Sequence, residues 1–187
     1  MADLHVSCAC GKIHAVAAIA RPTTGHRLVC YCRSCREFAT HLGATGMLDE
    51  CGGSDLFQMP ASALRITAGA DHIRALRLKP GGLLRWYAGC CDTPMANTVS
   101  AKFPFVTLFQ ATMAQGAEAI TGPVRGHVNR RGATAPLPEA AQARSEFGAI
   151  ARSIRKLLWW KIRGFARPSP LFQEDGTPVR EPVIVAS

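Results

Sequence analysis

Seven of the eight cysteines in this chain fall into three tight groups, and sulfur at such spacing constrains the fold more than any other feature. The first group is Cys8-Ala9-Cys10-Gly11. The second is Cys30-Tyr31-Cys32-Arg33-Ser34-Cys35, and the third is Cys90-Cys91-Asp92-Thr93-Pro94; only Cys51 stands apart. A chain of 187 residues can bury a sizeable core without cross-links. Its start, Met1-Ala2-Asp3-Leu4-His5, lacks the basic-then-apolar pattern of a secretory signal. The apolar run from Ala15 to Ala20 is too short to span a bilayer. The chain is therefore expected in a reducing cytoplasm, where closely spaced cysteines are metal ligands or catalytic thiols rather than disulfides.

Zinc takes four thiolate or imidazole ligands in a tetrahedron; structural sites are closed and catalytic sites keep one position open. Cys30, Cys32 and Cys35 offer three sulfurs from one short segment with no fourth ligand adjacent, the arithmetic of an open site. Cys8 and Cys10 offer two and need two more. Cys90 and Cys91 are the other pair, and vicinal residues reach one ion only if the chain turns there. Isolated Cys51 reads as a small buried hydrophobe.

The segments around these groups read as short strands and turns. His5–Cys8 and Ile13–Val16 flank the Gly11 turn, and His26–Val29 delivers Cys30. Ser34–Leu42 suits a short helix stopped at Gly43, whose first turn favours a negative sulfur. Cys51–Asp55 reads as a turn. Strands are expected at Leu56–Met59, Leu64–Thr67, Ile73–Leu78 and Leu83–Tyr87, with Lys79-Pro80-Gly81-Gly82 as a hairpin turn. Asp92–Met95 is expected to turn away from Cys91; the stretch on to Gln115 has no decisive period. Thr121–Pro138 reads as a loop or linker. From Pro138 to about Arg163, Phe147, Ile150, Ile154, Leu157 and Leu158 recur at helical spacing. Arg144, Arg152, Arg155 and Lys156 lie opposite. The apolar stripe is expected to pack on the rest of the chain; the competing reading is a basic helix that docks on a membrane surface, nucleic acid or a protein partner.

The formal charge of +9 is unevenly spread: 11 basic and 8 acidic residues up to Ile120, then 11 basic and 5 acidic. Seven thiolates holding two Zn²⁺ ions would lower the net charge to about +6, because zinc binds the deprotonated form.

The order C-x-C-G, then C-x-C-x-x-C, then a cysteine followed by Thr-Pro resembles the glutathione-dependent formaldehyde-activating enzymes, whose domain also occurs in centromere protein V. The resemblance covers residues 5 to 100 and marks a divergent subgroup. It implies a mainly β, Mss4-like fold of small twisted antiparallel sheets around zinc, here with a C-terminal α-helical extension. The corresponding division is a zinc-binding domain over 1–110 and an extension over 111–187. It implies two Zn²⁺ per chain: a structural ion held by Cys8, Cys10, Cys91 and Cys90, and an open site of Cys30, Cys32 and Cys35. The family's last group reads C-x-x-C-G, so Asp92 replaces the glycine and Ala88 stands where the first cysteine belongs. Cys91 is thus the better-placed ligand, and either Cys90 substitutes or the structural site has three thiolates. The implied activity is carbon–sulfur lyase chemistry on a glutathione adduct such as S-hydroxymethylglutathione. Arg33, Arg36 and Arg85 are candidates to hold the carboxylates of such a small-molecule thiol. Nucleic acid is not an expected partner, and peripheral membrane contact is the less favoured one.

Overall fold

The computed structural model describes residues 2–19, 23–143 and 145–185. Strands β1 (Ala2–Ser7) and β2 (His14–Ile19) form an antiparallel hairpin, and β5 (Leu64–Ala68) joins β2 to complete a three-stranded sheet. The larger sheet contains β3 (His26–Cys30), β4 (Ser54–Pro60), β6 (Ile73–Arg77), β7 (Leu84–Ala88), β8 (Thr93–Thr98), β9 (Phe105–Phe109), β10 (His127–Val128) and β11 (Val183–Ile184). Its order is β10-β3-β4-β9-β8-β7-β6-β11. The central pairings are antiparallel; the two outermost, β10 with β3 and β11 with β6, are parallel. Among the described residues four α-helices accompany the sheets: α1 (Arg33–His41), α2 (Glu118–Thr121), α3 (Glu139–Gln142) and α4 (Glu146–Ile162). The protein is mainly β, with one large mixed sheet and a few helices.

Side-chain alternation separates the two larger of three core clusters, the third being Val29, Tyr31 and Cys51. Leu4, Val6 and Ala17 of the small sheet pack with Phe57, Met59 and Trp86 of the large one. On the opposite face Leu28, Leu56, Leu76 and Phe109 pack with Phe38 of α1. Successive strand residues point to opposite faces. Because Leu84 and Trp86 go to the first cluster, Arg85 between them is driven onto the face of α1, where it is 2% exposed.

Several expectations need correction. The turn read at Cys51–Asp55 ends early, because β4 begins at Ser54. Thr93–Met95 does not turn away from Cys91 but opens β8, all six of whose residues are buried. Pro94 is tolerated in this interior strand because the pairing with β7 is irregular between Trp86 and Tyr87. Val183–Ile184, beyond the segments read above, joins β6.

The expected helix from Pro138 to Arg163 is two helices, α3 and α4; Arg144 lies outside the described residues. The face of α4 is inverted relative to expectation. Phe147, Ile150, Ile154 and Leu158 are exposed, whereas Ala149 and Trp160 are buried. The cause lies beneath the helix, which rests on irregular backbone whose carbonyls need donors. Arg152 Nη1 donates to Arg125 O at 3.0 Å, and Lys156 Nζ donates to Gly25 O at 2.7 Å and also to Thr23 O. Close approach is allowed by Gly126, where a Cβ would come within 2.4 Å of the Ala149 methyl.

Candidate metal centres

The first centre joins two hairpin tips from different sheets. Cys8 and Cys10 sit in the β1–β2 turn, where Gly11 takes φ +73. Cys90 and Cys91 sit in the β7–β8 turn, which closes through hydrogen bonds from Cys91 N and Asp92 N to Ala88 O. That turn lets vicinal cysteines face one point. Sγ separations are 3.6 Å for Cys8–Cys10, 3.9 Å for Cys8–Cys90, 3.3 Å for Cys10–Cys90 and 3.9 Å for Cys90–Cys91. All four sulfurs lie within 4.8 Å of one another and could hold a metal ion. Asp92, which stands where the resembled family has glycine, adopts φ +52 and so occupies a left-handed conformation that glycine fits best.

Thr93, given no role in the sequence reading, stitches the two tips together. Its Oγ1 accepts from Ala9 N at 3.1 Å, and its hydroxyl lies 3.1 Å from Cys91 Sγ. Ile13 N also donates to Cys8 Sγ at 3.3 Å. N–H and O–H groups aimed at sulfur favour its ionised form. Burial pushes the Cys91 thiol up, but hydrogen bonds, first that from Thr93, outweigh it and bring it down to about 6.

The second centre is assembled from the end of β3, the N-cap of α1 and the first turn of that helix: Cys30, Cys32 and Cys35. These three sulfurs also lie within 4.8 Å of one another. Hydrogen bonds from the Cys30 and Cys35 thiols hold Cys32 far below the usual thiol range. The same sharing pushes Cys35 up, in the order Cys30, Cys32 and then burial. Among the described residues neither centre includes a histidine, and Cys51 is separate, its thiol 3.3 Å from Pro136 O.

Two neighbours complete the second centre. Asn129 Nδ2 lies 3.3 Å from Cys30 Sγ, placed by β10 alongside β3. Arg85 Nη1 lies 3.6 Å from Cys35 Sγ and 2.9 Å from Asn97 Oδ1, while Nη2 donates to Ser34 Oγ at 2.8 Å. Its guanidinium also stands 5.6 Å from the Phe38 ring centroid. Arg85 thus contacts sulfur, held there by Asn97 and Ser34. Arg33 pairs with Glu37 at the surface, and Arg36 donates to the carbonyls of Tyr31 and Gly132. A cavity of about 330 Å³ opens directly over the three sulfurs. Among the described residues that line it, Arg85 is the one charged side chain.

A family model described as "Family of unknown function (DUF6151)" matches residues 2–183. No curated protein matches the chain. Among solved structures, the crystal structure of a Rhodobacter sphaeroides protein is similar at 14% identity. That match covers 60% of this chain and 88% of the other, with a TM-score of 0.42. Among the described residues no helix is long and apolar enough to cross a membrane.

Proposed function

We propose, for a chain that belongs to the Family of unknown function (DUF6151), a two-zinc protein with a closed structural site and an open site that acts on thiol adducts. The observation that carries this reading is the asymmetry of the two centres. Four sulfurs close the first, while three sulfurs form the floor of a cavity in the second.

The donor chemistry fits zinc. Zn–S bonds of about 2.3 Å in a tetrahedron require sulfurs about 3.8 Å apart. Four of the six separations in the first centre span 3.3 to 3.9 Å, and all lie within 4.8 Å. They are far too long for disulfides, at about 2.05 Å. The charge also balances in the second centre: three thiolates and one divalent ion leave a single negative charge, and buried Arg85 supplies a single positive one. Zinc bound there would lower the pKa of a thiol in its open position and stabilise it as thiolate.

The chain's own residues do the rest. Asn97 and Ser34 fix the Arg85 guanidinium beside Cys35. Asn129 orients Cys30, and such outer contacts tune ligand basicity. The apolar side chains of the lining, such as Leu28, Leu56 and Phe105, would lower the local dielectric and strengthen charge interactions inside. The reaction class that suits this site is carbon–sulfur lyase chemistry of the formaldehyde-activating type, within an Mss4-like fold. Cleavage of a hemithioacetal sends the C–S electron pair to sulfur and the hydroxyl proton to solvent, releasing a thiolate and an aldehyde; condensation is the reverse.

The test couples metal content with turnover. Protein purified under reducing conditions should carry two zinc ions, falling to one in Cys35→Ala, and should turn over a thiol–formaldehyde adduct. No zinc at all, or stoichiometric zinc without turnover of any such adduct, overturns the enzymatic reading. A second reading, a non-catalytic zinc scaffold, draws on the exposed stripe of α4, where Phe147 and Ile162 are 80% and 83% exposed. Binding to anionic vesicles that disappears in a Phe147→Asp/Ile162→Asp double variant, with no turnover, would favour it.

A further inference from the structure

The cavity over Cys30, Cys32 and Cys35 has a polar floor running straight across the large sheet. Arg85 of β7 pairs with Asn97 of β8, Asn97 with Thr107 of β9, and Thr107 with Gln58 of β4. Directly paired residues on neighbouring strands point to one face, about 4.8 Å apart. Thr107 therefore stands about 10 Å from Arg85 along this row, and Gln58 about 14 Å. All four line the cavity. Three of the five Arg85 N–H donors are engaged by Asn97, Ser34 and Cys35. The Thr107 hydroxyl and the Gln58 amide have no hydrogen-bond partner among the described residues, although Thr107 is only 5% exposed. Apolar side chains line the rest: Leu28, Leu56, Phe105 and Val128, with the partly exposed Ile150 and Ile154 of α4.

A dicarboxylate such as glutathione meets a single cation among the described lining residues, Arg85, whose charge the three thiolates and their ion would already balance. Burying a carboxylate without a partner is far costlier than burying an amide that can hydrogen-bond. Resting on the reading of the triplet as an open metal site, we infer that its substrate is an uncharged thiol or its aldehyde adduct. The thiol would have an apolar body and a neutral amide or hydroxyl group that Thr107 and Gln58 meet at the end of this row away from Arg85. The substrate implied by the family resemblance is thus replaced by one that is neutral along its length.

Cobalt(II) reports this without turnover, because thiolate ligands give it intense near-ultraviolet charge-transfer absorption. The cobalt-loaded chain would be titrated with pantetheine, a neutral thiol carrying two amides, and with glutathione. Pantetheine should bind at least tenfold more tightly. Thr107→Val, which keeps shape and removes one hydrogen bond, should weaken pantetheine about fivefold and leave glutathione unchanged. Ile154→Glu, at a half-exposed position on the rim, should weaken pantetheine at least tenfold. Equal or tighter binding of glutathione, no spectral response to either thiol, or an unchanged pantetheine affinity in Thr107→Val overturns the inference. The two failures are distinguishable: if Cys35→Ala removes no part of the cobalt spectrum, the open-site reading has failed and the substrate assignment falls with it.

Discussion

Replacing Arg85 with methionine should remove the metal from one centre and leave the other intact. The guanidinium is 2% exposed, its Nη1 lies 3.6 Å from Cys35 Sγ, and no carboxylate balances it among its hydrogen-bond partners. At an effective dielectric constant of about 20, unit charges at that distance attract by about 4.6 kcal/mol. Loss of this attraction sets an upper limit of roughly two thousandfold on the weakening of metal binding at the triplet, because the metal-free site, with Cys32 ionised, also carries a negative charge. Methionine fills comparable volume and cannot balance the thiolates. The assay is competition with a chromophoric chelator, which resolves the two metals by affinity. The second metal, at Cys8, Cys10, Cys90 and Cys91, is the internal control for folding. If Arg85→Met retains both metals with wild-type affinities, the charge-balance argument for the triplet is wrong. Arg85→Lys keeps the charge but cannot reach Asn97, Ser34 and sulfur together, so it should fall between the two.

His26 is 1% exposed, both its ring nitrogens lack partners, and burial followed by Lys156, Arg152 and Arg125 lowers its pKa from 6.5 to about 4. The unfolded chain therefore takes up this proton first, so stability falls as pH drops from about 6.5 towards 4, by at most about 3 kcal/mol. In denaturant titrations over that range, His26→Leu should show a shallower pH dependence than the wild type; parallel curves would contradict the assignment. Asp92→Gly should relieve the φ of +52 and raise stability by about 0.5 to 1 kcal/mol after the entropy cost of glycine. Asp92→Asn, which removes the charge but keeps the side chain's size, separates conformational relief from electrostatic repulsion by the thiolates; a lower melting temperature for Asp92→Gly would refute the strain argument.

The sulfur groups were legible because their spacing is chemical information that folding does not erase. Strands β4 to β7 were legible because Gly- and Pro-rich turns mark their limits. Strand β8 was not, since all six residues from Thr93 to Thr98 are buried and burial on both faces removes the alternation that announces a strand. The face of α4 misled for a different reason: the carbonyls of Thr23, Gly25 and Arg125 drew Lys156 and Arg152 inward and left the apolar stripe outside. Asn129 and Asn97 carry no motif; only the pairing of β10 with β3 and of β8 with β7 brings them to the site. Arg85 did have a signal, a lone cation inside Leu83-Leu84-Arg85-Trp86-Tyr87. Its partner could not be read, because which face it takes depends on where Leu84 and Trp86 go.

The seam at Thr93 has a consequence for how the molecule comes apart. Cys8 and Cys90 are 82 positions apart in the chain, so a metal ion held between them closes a long loop around β2 to β7. A cross-link of that span constrains the unfolded chain by about 4 kcal/mol in the chain-entropy account. It also ties the three-stranded sheet to the large one at their tips. With the ion in place, opening of β1, β2 and β5 requires opening the whole molecule. Once it is chelated, those strands become a separable unit, and their amides should exchange with deuterium well before those of β4, β8 and β9. On the proposed occupancy the first centre would work as a latch between two folding units, and metal supply would decide whether the protein melts in one step or two.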